Sequence, residues 1–240
     1  MECKWNLEAA RTGGLAFSEE TRKKIAYFKV VSDSGHFPLK LMVISEEHGF
    51  IFIHLIKTAG TSITAALKPF GKTHKQIPGG YTCHDSAEVL ISKLGKETYK
   101  SFFSFAIVRN PWDLLVSNYN YVLKSPKHAR HAEFKAFSGY AEYLEWQFAR
   151  GFKNQRDHLF CGEEQVVDFI GRYENIESDW KIICERIGIS VGLPLLNTTK
   201  TQPYQDFYTP ELVELVAHEF EPDIRQFGYQ FESGKDLALA

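Results

Sequence analysis

The stretch from Phe50 to Leu67, FIFIHLIKTAGTSITAAL, restricts the fold of this chain more than any other. Phe50 to His54 is an apolar-rich run of strand length, and Ile63, Ala65, Ala66 and Leu67 continue a helix opened by Thr61 or Ser62. Between them a loop of small residues carries Lys57, Thr58, Ala59 and Gly60. A strand, a tight loop and a helix start together suit an anion. The first N–H groups of a helix have no internal partner, and its dipole favours negative charge there. Lys57 adds a full positive charge on a flexible stem, and the hydroxyls of Thr58, Thr61 and Ser62 are compact donors. The spacing is not the GxxxxGK[ST] loop of nucleotide triphosphatases, because the lysine comes three positions before the glycine. Taken alone, the stretch fits either a phosphate or sulfate cradle or a plain surface strand–turn–helix.

A second strand, Phe102 to Val108, runs into Arg109-Asn110-Pro111-Trp112-Asp113. Asn110 suits an N-cap and Pro111 the first helical position, so a helix follows through Tyr119 and Tyr121 with Ser117 about two turns in. By itself, an arginine before a proline-started helix is most often a solvated end or a structural pair. Beside the Lys57 loop it suggests a second anion site, and two anions on one ligand point to a nucleotide with phosphates at both ends.

The remaining pattern sets these two motifs in one fold. Residues 1–22 form a polar, loosely held arm, and Ile25–Val31 and Leu39–Ile44 read as a hairpin around Ser-Asp-Ser-Gly. Gly71 to Cys83 is a loop holding His74 and Lys75, and Asp85 or Ser86 caps a helix from Ala87 to Leu94. The region from Lys124 to Arg156 is locally basic and helical around Tyr140–Phe148. A third strand, Val166–Tyr173, leads into a helix over Glu177–Ile187; Leu193–Pro203 is a loop and Pro210–Phe227 one amphipathic helix. Strand–helix alternation predicts an α/β fold. Its P-loop-like central parallel sheet has helices on both faces, in a single domain over residues 23–240. Ligands of such sheets bind beyond the strand C-termini, so the loops at Lys57, Arg109 and Tyr173 should gather on one edge.

Composition removes other classes. A formal net charge of -2 gives no global basic field, so no nucleic-acid partner is implied. The four cysteines, Cys3, Cys83, Cys161 and Cys184, form no CxxC pair, which argues against zinc and a disulfide framework and for reduced thiols. No metal-ligand cluster is apparent. No apolar run reaches 18 residues and MECKWNLEAARTGG is no secretory signal, so no membrane span is expected; a full-length chain would be cytoplasmic.

These motifs resemble those of a known family. FIHLIKTAGTS is similar to the 5′-phosphosulfate-binding loop of sulfotransferases, and FAIVRNPWDLLVSNYNY to their 3′-phosphate-binding segment. FIGRYENIESDW resembles the strand and turn that pack on the adenine, and the segment from Asn197 to Phe231 the family's C-terminal tail. The nearest likeness is to carbohydrate sulfotransferases, including glycosaminoglycan 2-O-sulfotransferases and their bacterial relatives. The resemblance implies a donor, 3′-phosphoadenosine 5′-phosphosulfate, leaving as the 3′,5′-bisphosphate, and a hydroxyl acceptor on a carbohydrate. It implies Lys57 against the sulfate and leaving 5′-phosphate, with Thr58, Ala59, Gly60, Thr61 and Ser62 holding that phosphate. Arg109 and Ser117 would grip the 3′-phosphate, Tyr173 would touch the adenine, and Lys200 would close over the nucleotide.

Sulfuryl transfer needs a base that titrates near neutrality, which favours histidine, and requires no metal. Of the nine histidines, His84 matches the family's base position. His54 suits a structural place in its strand, while His74, His128 and His131 stand in variable-looking regions that could face the acceptor. Cys83 beside His84 is a poor thiol nucleophile, since adjacent side chains rarely converge. Two other readings stand beside this one: a P-loop kinase-like phosphotransferase, and a nucleotide-binding relative without catalysis.

Overall fold

The computed structural model describes residues 42–73, 82, 84–151, 153–194 and 202–232. Its strands are β1 (Val43–Ser45), β2 (Phe50–Ile53), β3 (Lys72–Thr73), β4 (Phe103–Val108), β5 (Phe160–Cys161), β6 (Glu164–Gln165) and β7 (Phe169–Arg172). Five of them form one sheet in the order β3-β1-β2-β4-β7, and β5 pairs with β6 apart from it. Strands β2, β4 and β7 are parallel, with Phe50 opposite Phe103 and Val108 opposite Arg172. The other two pairings, β1 with β2 and β1 with β3, are antiparallel. The sheet is therefore mixed rather than wholly parallel. Only Glu46 to Gly49 join β1 to β2, too short a link for the crossover that a parallel pair needs, and Gly49 turns the chain at φ 62.

The central strands are apolar on both faces. Phe50, Phe52, Phe105 and Ile107 pack to one side with Ile63 and Leu67 of helix α1 (Gly60–Leu67) and with Trp180 and Ile183 of the helix Ile176–Ile187. Ile51, Ile53, Ala106 and Val108 pack to the other, against Trp112, Leu115 and Val116 of the helix Pro111–Leu123 and against Val216 and Phe227 near the C-terminus. Helices thus cover both faces, which is why β2 and, Ser104 apart, β4 read as hydrophobic runs.

Local signals account for most boundaries. Ser86 Oγ accepts from Val89 N at the start of Ala87–Leu94, and Asn110 Oδ1 accepts from Trp112 N with Pro111 in the first turn. Three expectations are corrected. The helix expected over Pro210–Phe227 is two, Pro210–Glu219 and Glu221–Phe227: Pro222 has no N–H for the carbonyl four residues back, so the chain bends at Phe220. The strand expected from Val166 shortens to β7, because Asp168 just before it accepts the backbone N–H and hydroxyl of Ser104, each at 2.7 Å. Finally, α1 starts at Gly60 on Ala59 and not on a Thr61 or Ser62 cap. The arm at 1–22, the strand expected at Ile25–Val31, His74, Lys75, Cys83 and Lys200 lie outside the described residues. Among the described residues, no helix is long and apolar enough to cross a membrane.

Candidate active site

The loop after β2 takes an uncommon backbone path. Lys57 and Ala59 lie at φ 58 and φ 62, the left-handed region that non-glycine residues rarely occupy, and no side chain caps the helix that Ala59 opens. Ala59 itself supplies no side-chain acceptor to the amides at the positive end of this helix dipole. Thr58 is fully buried and its hydroxyl donates to Leu55 O at 2.9 Å, so it holds the loop's shape. Ser62 is buried and Thr61 half-buried at the helix start. Gly60 is needed for closeness, not for its φ. A Cβ there would lie 1.8 Å from His54 Cδ2 and 1.9 Å from Nε2. His54 cannot easily yield, because its ring packs at 4.8 Å on that of His84. Gly60→Ala should therefore lower stability by about 1–3 kcal/mol. Chemical denaturation checks this, and an unchanged midpoint would show that the stack gives way freely.

Arg109 leaves the end of β4 and reaches back to this loop. Its Nη1 donates to Lys57 O at 2.9 Å, and its Nε and Nη2 meet Asp113 Oδ2 at 2.9 and 2.8 Å. The guanidinium also lies 3.9 Å over the Tyr173 ring. The three loops thus meet at one sheet edge. A guanidinium has five N–H donors, and two remain for an outside acceptor. Tyr173, expected against adenine, here offers a face to Arg109. Ser117 is half-buried on the same helix as Asp113.

Lys57 Nζ sits 3.7 Å over the ring of Tyr121, which is itself exposed. Burial, and then the Arg109 charge, lower its pKa to about 8. An arriving anion therefore meets a cation that the protein alone only half supports.

Beside the loop opens a cleft of about 360 Å³, whose lining includes His84, Arg130, Arg150, Lys153, Gln155 and His158 and, among the described residues, no acidic side chain. Arg130 and Arg150 both pack on Trp146, at 5.2 and 4.9 Å from its ring, so a single indole holds two cations. His84 Nδ1 lies 3.2 Å from His54 O, a contact that places its proton there and leaves Nε2 as the basic nitrogen. Burial lowers the His84 pKa, opposed by the His54 carbonyl and the Asp85 charge. Asp85 is held in turn by Lys93 at 2.7 Å and by Thr82. His84 is thus neutral at pH 7 and able to take a proton. His158 is pushed down to about 4 by burial and then by the neighbouring Lys153 charge. His131 Nδ1 is turned to Val122 O at 3.0 Å, and His128 lies edge-on to Tyr121.

The structure brings the loop from Lys57 to Ser62 together with Arg109 and Tyr173, and places His84 in the adjoining cleft. Asp113 was overlooked in the sequence, although its place four residues after Arg109 on a helix start was a readable ion-pair signal. Tyr121 and Gln155 were overlooked too, and no local pattern marks either.

A family model described as "Sulfotransferase family" matches residues 40–230 of the chain. An uncharacterised protein of Archaeoglobus fulgidus is 30% identical over 121 residues, which is 50% of this chain and 96% of that protein. No solved structure matches the chain significantly.

Proposed function

Because the chain belongs to the sulfotransferase family, we propose that it moves a sulfuryl group from 3′-phosphoadenosine 5′-phosphosulfate to a hydroxyl of an acidic carbohydrate. The observation that carries this reading is the Arg109 bond to Lys57 O, which draws two anion-binding cations to one edge beside the His84 cleft. Two phosphates at the two ends of one nucleotide suit that pair of sites. The lining of Arg130, Arg150 and Lys153, with no carboxylate among the described residues, favours an anionic acceptor over a neutral one.

The chemistry follows from the groups present. The acceptor hydroxyl gives its proton to His84 Nε2 as its oxygen bonds to sulfur, and the bond from sulfur to the 5′-phosphate oxygen breaks in line. Lys57 and the N-terminal end of α1 face the oxygen on which negative charge then grows. They stabilise the transition state more than the ground state, as electrostatic preorganisation requires. Arg109, with Ser117, grips the 3′-phosphate and fixes the approach, so positioning carries much of the rate. Gly60, Thr61 and Ser62 hold the 5′-phosphate, Thr58 acts through the loop's shape, and Tyr173 borders the base.

Thermal unfolding with 3′-phosphoadenosine 5′-phosphate, AMP and ATP, each with and without Mg²⁺, tests the donor. The bisphosphate at about 100 times its Kd should add roughly 2.7 kcal/mol without metal. A shift given only by ATP with Mg²⁺ would overturn this in favour of phosphoryl transfer.

A further inference from the structure

We infer that Gln155 is a positioning residue, which sets Arg109 at the 3′-phosphate from the side of the acceptor cleft; this rests on the reading of Arg109 just given. The need for such a residue comes from the sheet. The β4–β7 ladder ends at the pair Val108–Arg172, so Arg109 is the first residue whose peptide groups lack a strand beside them. Buried backbone polar groups must find partners elsewhere. Gln155, 3% exposed, supplies both: its Oε1 accepts from Arg109 N and its Nε2 donates to Arg109 O, each at 2.8 Å. One carboxamide thus closes a ring on one residue and takes the place of the missing strand.

Gln155 is itself fixed from the C-terminal helix. Asp223 has no exposed surface, and its Oδ2 accepts from Gln155 N at 2.9 Å and from Gln155 Nε2 at 3.2 Å, while Oδ1 accepts from Arg156 N at 2.8 Å. The next peptide along is pinned too, where Asn110 N donates to Glu174 Oε1 at 2.6 Å. With its guanidinium on Asp113 and Lys57 O, Arg109 is set at both its backbone and its side chain. Gln155 also lines the cleft, so the residue that aims the phosphate-gripping arginine borders the acceptor as well.

The test compares Gln155→Leu, Gln155→Glu and Arg109→Ala by calorimetric affinity for 3′-phosphoadenosine 5′-phosphate, relative to the parent at each pH, with stability measured alongside. Gln155→Leu removes both bonds to Arg109 and should weaken the bisphosphate about tenfold or more. A glutamate keeps the acceptor but loses the donor until it is protonated, when its O–H again faces Arg109 O. The titratable and charged groups around position 155 are Asp223, Arg109, Lys153, Arg156, Asp157, His84 and His158; Asp223, in contact and itself pushed up to about 6 by burial, shares a proton with a glutamate here and so favours its protonation as pH falls. Gln155→Glu should therefore be weak at pH 8 and approach the parent by pH 6, a recovery that simple loss of packing does not produce. Parent-like affinity in Gln155→Leu, or no recovery in Gln155→Glu, would overturn the inference when Arg109→Ala binds weakly. If the Gln155→Leu variant fails to fold, the pH series of the glutamate variant decides alone. If Arg109→Ala keeps full affinity, the placing of the 3′-phosphate is what fails.

Discussion

Replacing His84 by asparagine is expected to slow sulfuryl transfer by about 10²–10⁴-fold while bisphosphate affinity changes by less than about twofold. Asparagine keeps a donor for the His54 carbonyl, which His84 Nδ1 meets at 3.2 Å, so the wall of the cleft is retained while the basic nitrogen is lost. The dependence on pH follows from the shifts and their signs. A general base works in its neutral form, and burial lowers the His84 pKa below the ordinary 6.5. Transfer should therefore rise with pH through a midpoint under 6.5 and level off before neutrality. Lys57 works in its charged form, and its pKa is lowered to about 8, so kcat/KM should fall again above that value. The acid limb should vanish in the asparagine variant and the alkaline limb remain. Unchanged transfer in that variant would end the assignment of His84, and a matching loss of bisphosphate affinity would make the residue structural.

How much of this was readable before the structure depended on the distance over which each signal acts. Strands β2 and β4 were plain, because burial on both faces makes them apolar runs broken only by Ser104, and the starts at Ser86 and Pro111 carry their own caps. The meeting of Lys57, Arg109 and Tyr173 followed from a rule of parallel strands, and it holds although β1 is antiparallel. The left-handed turns at Lys57 and Ala59 were hidden, since neither residue type asks for them and the packing of Gly60 on His54 and the buried Thr58 bond impose them. The Gln155 clamp was equally hidden. It joins positions 46 and 68 residues apart through side chains that look like any surface glutamine and aspartate. The basic character of Lys124 to Arg156 was visible, whereas the use of Arg130 and Arg150 as a pair depends on Trp146 between them.

Lys57→Met should lower transfer by about 10²–10³-fold, the cost of removing one preorganised charge from a developing oxyanion. Methionine fills the space of the stem, and arginine should not restore the rate, since a planar fork cannot take the ammonium's place 3.7 Å over the Tyr121 ring. The same lysine makes a second, independent prediction about protons. In the free protein its pKa is about 8, because burial and then Arg109 disfavour the charge. A phosphate beside it favours the charge and raises that pKa, so bisphosphate binding must take up protons wherever free Lys57 is partly neutral. Between pH 8 and 9 the uptake should approach roughly 0.5–1 proton per site, and affinity should strengthen as pH falls through 8. Calorimetry in two buffers of different ionisation enthalpy reads the uptake directly. Lys57→Met should abolish it even where binding survives. An uptake of the same size in that variant would mean that another group titrates with the ligand and that Lys57 does not face the phosphate.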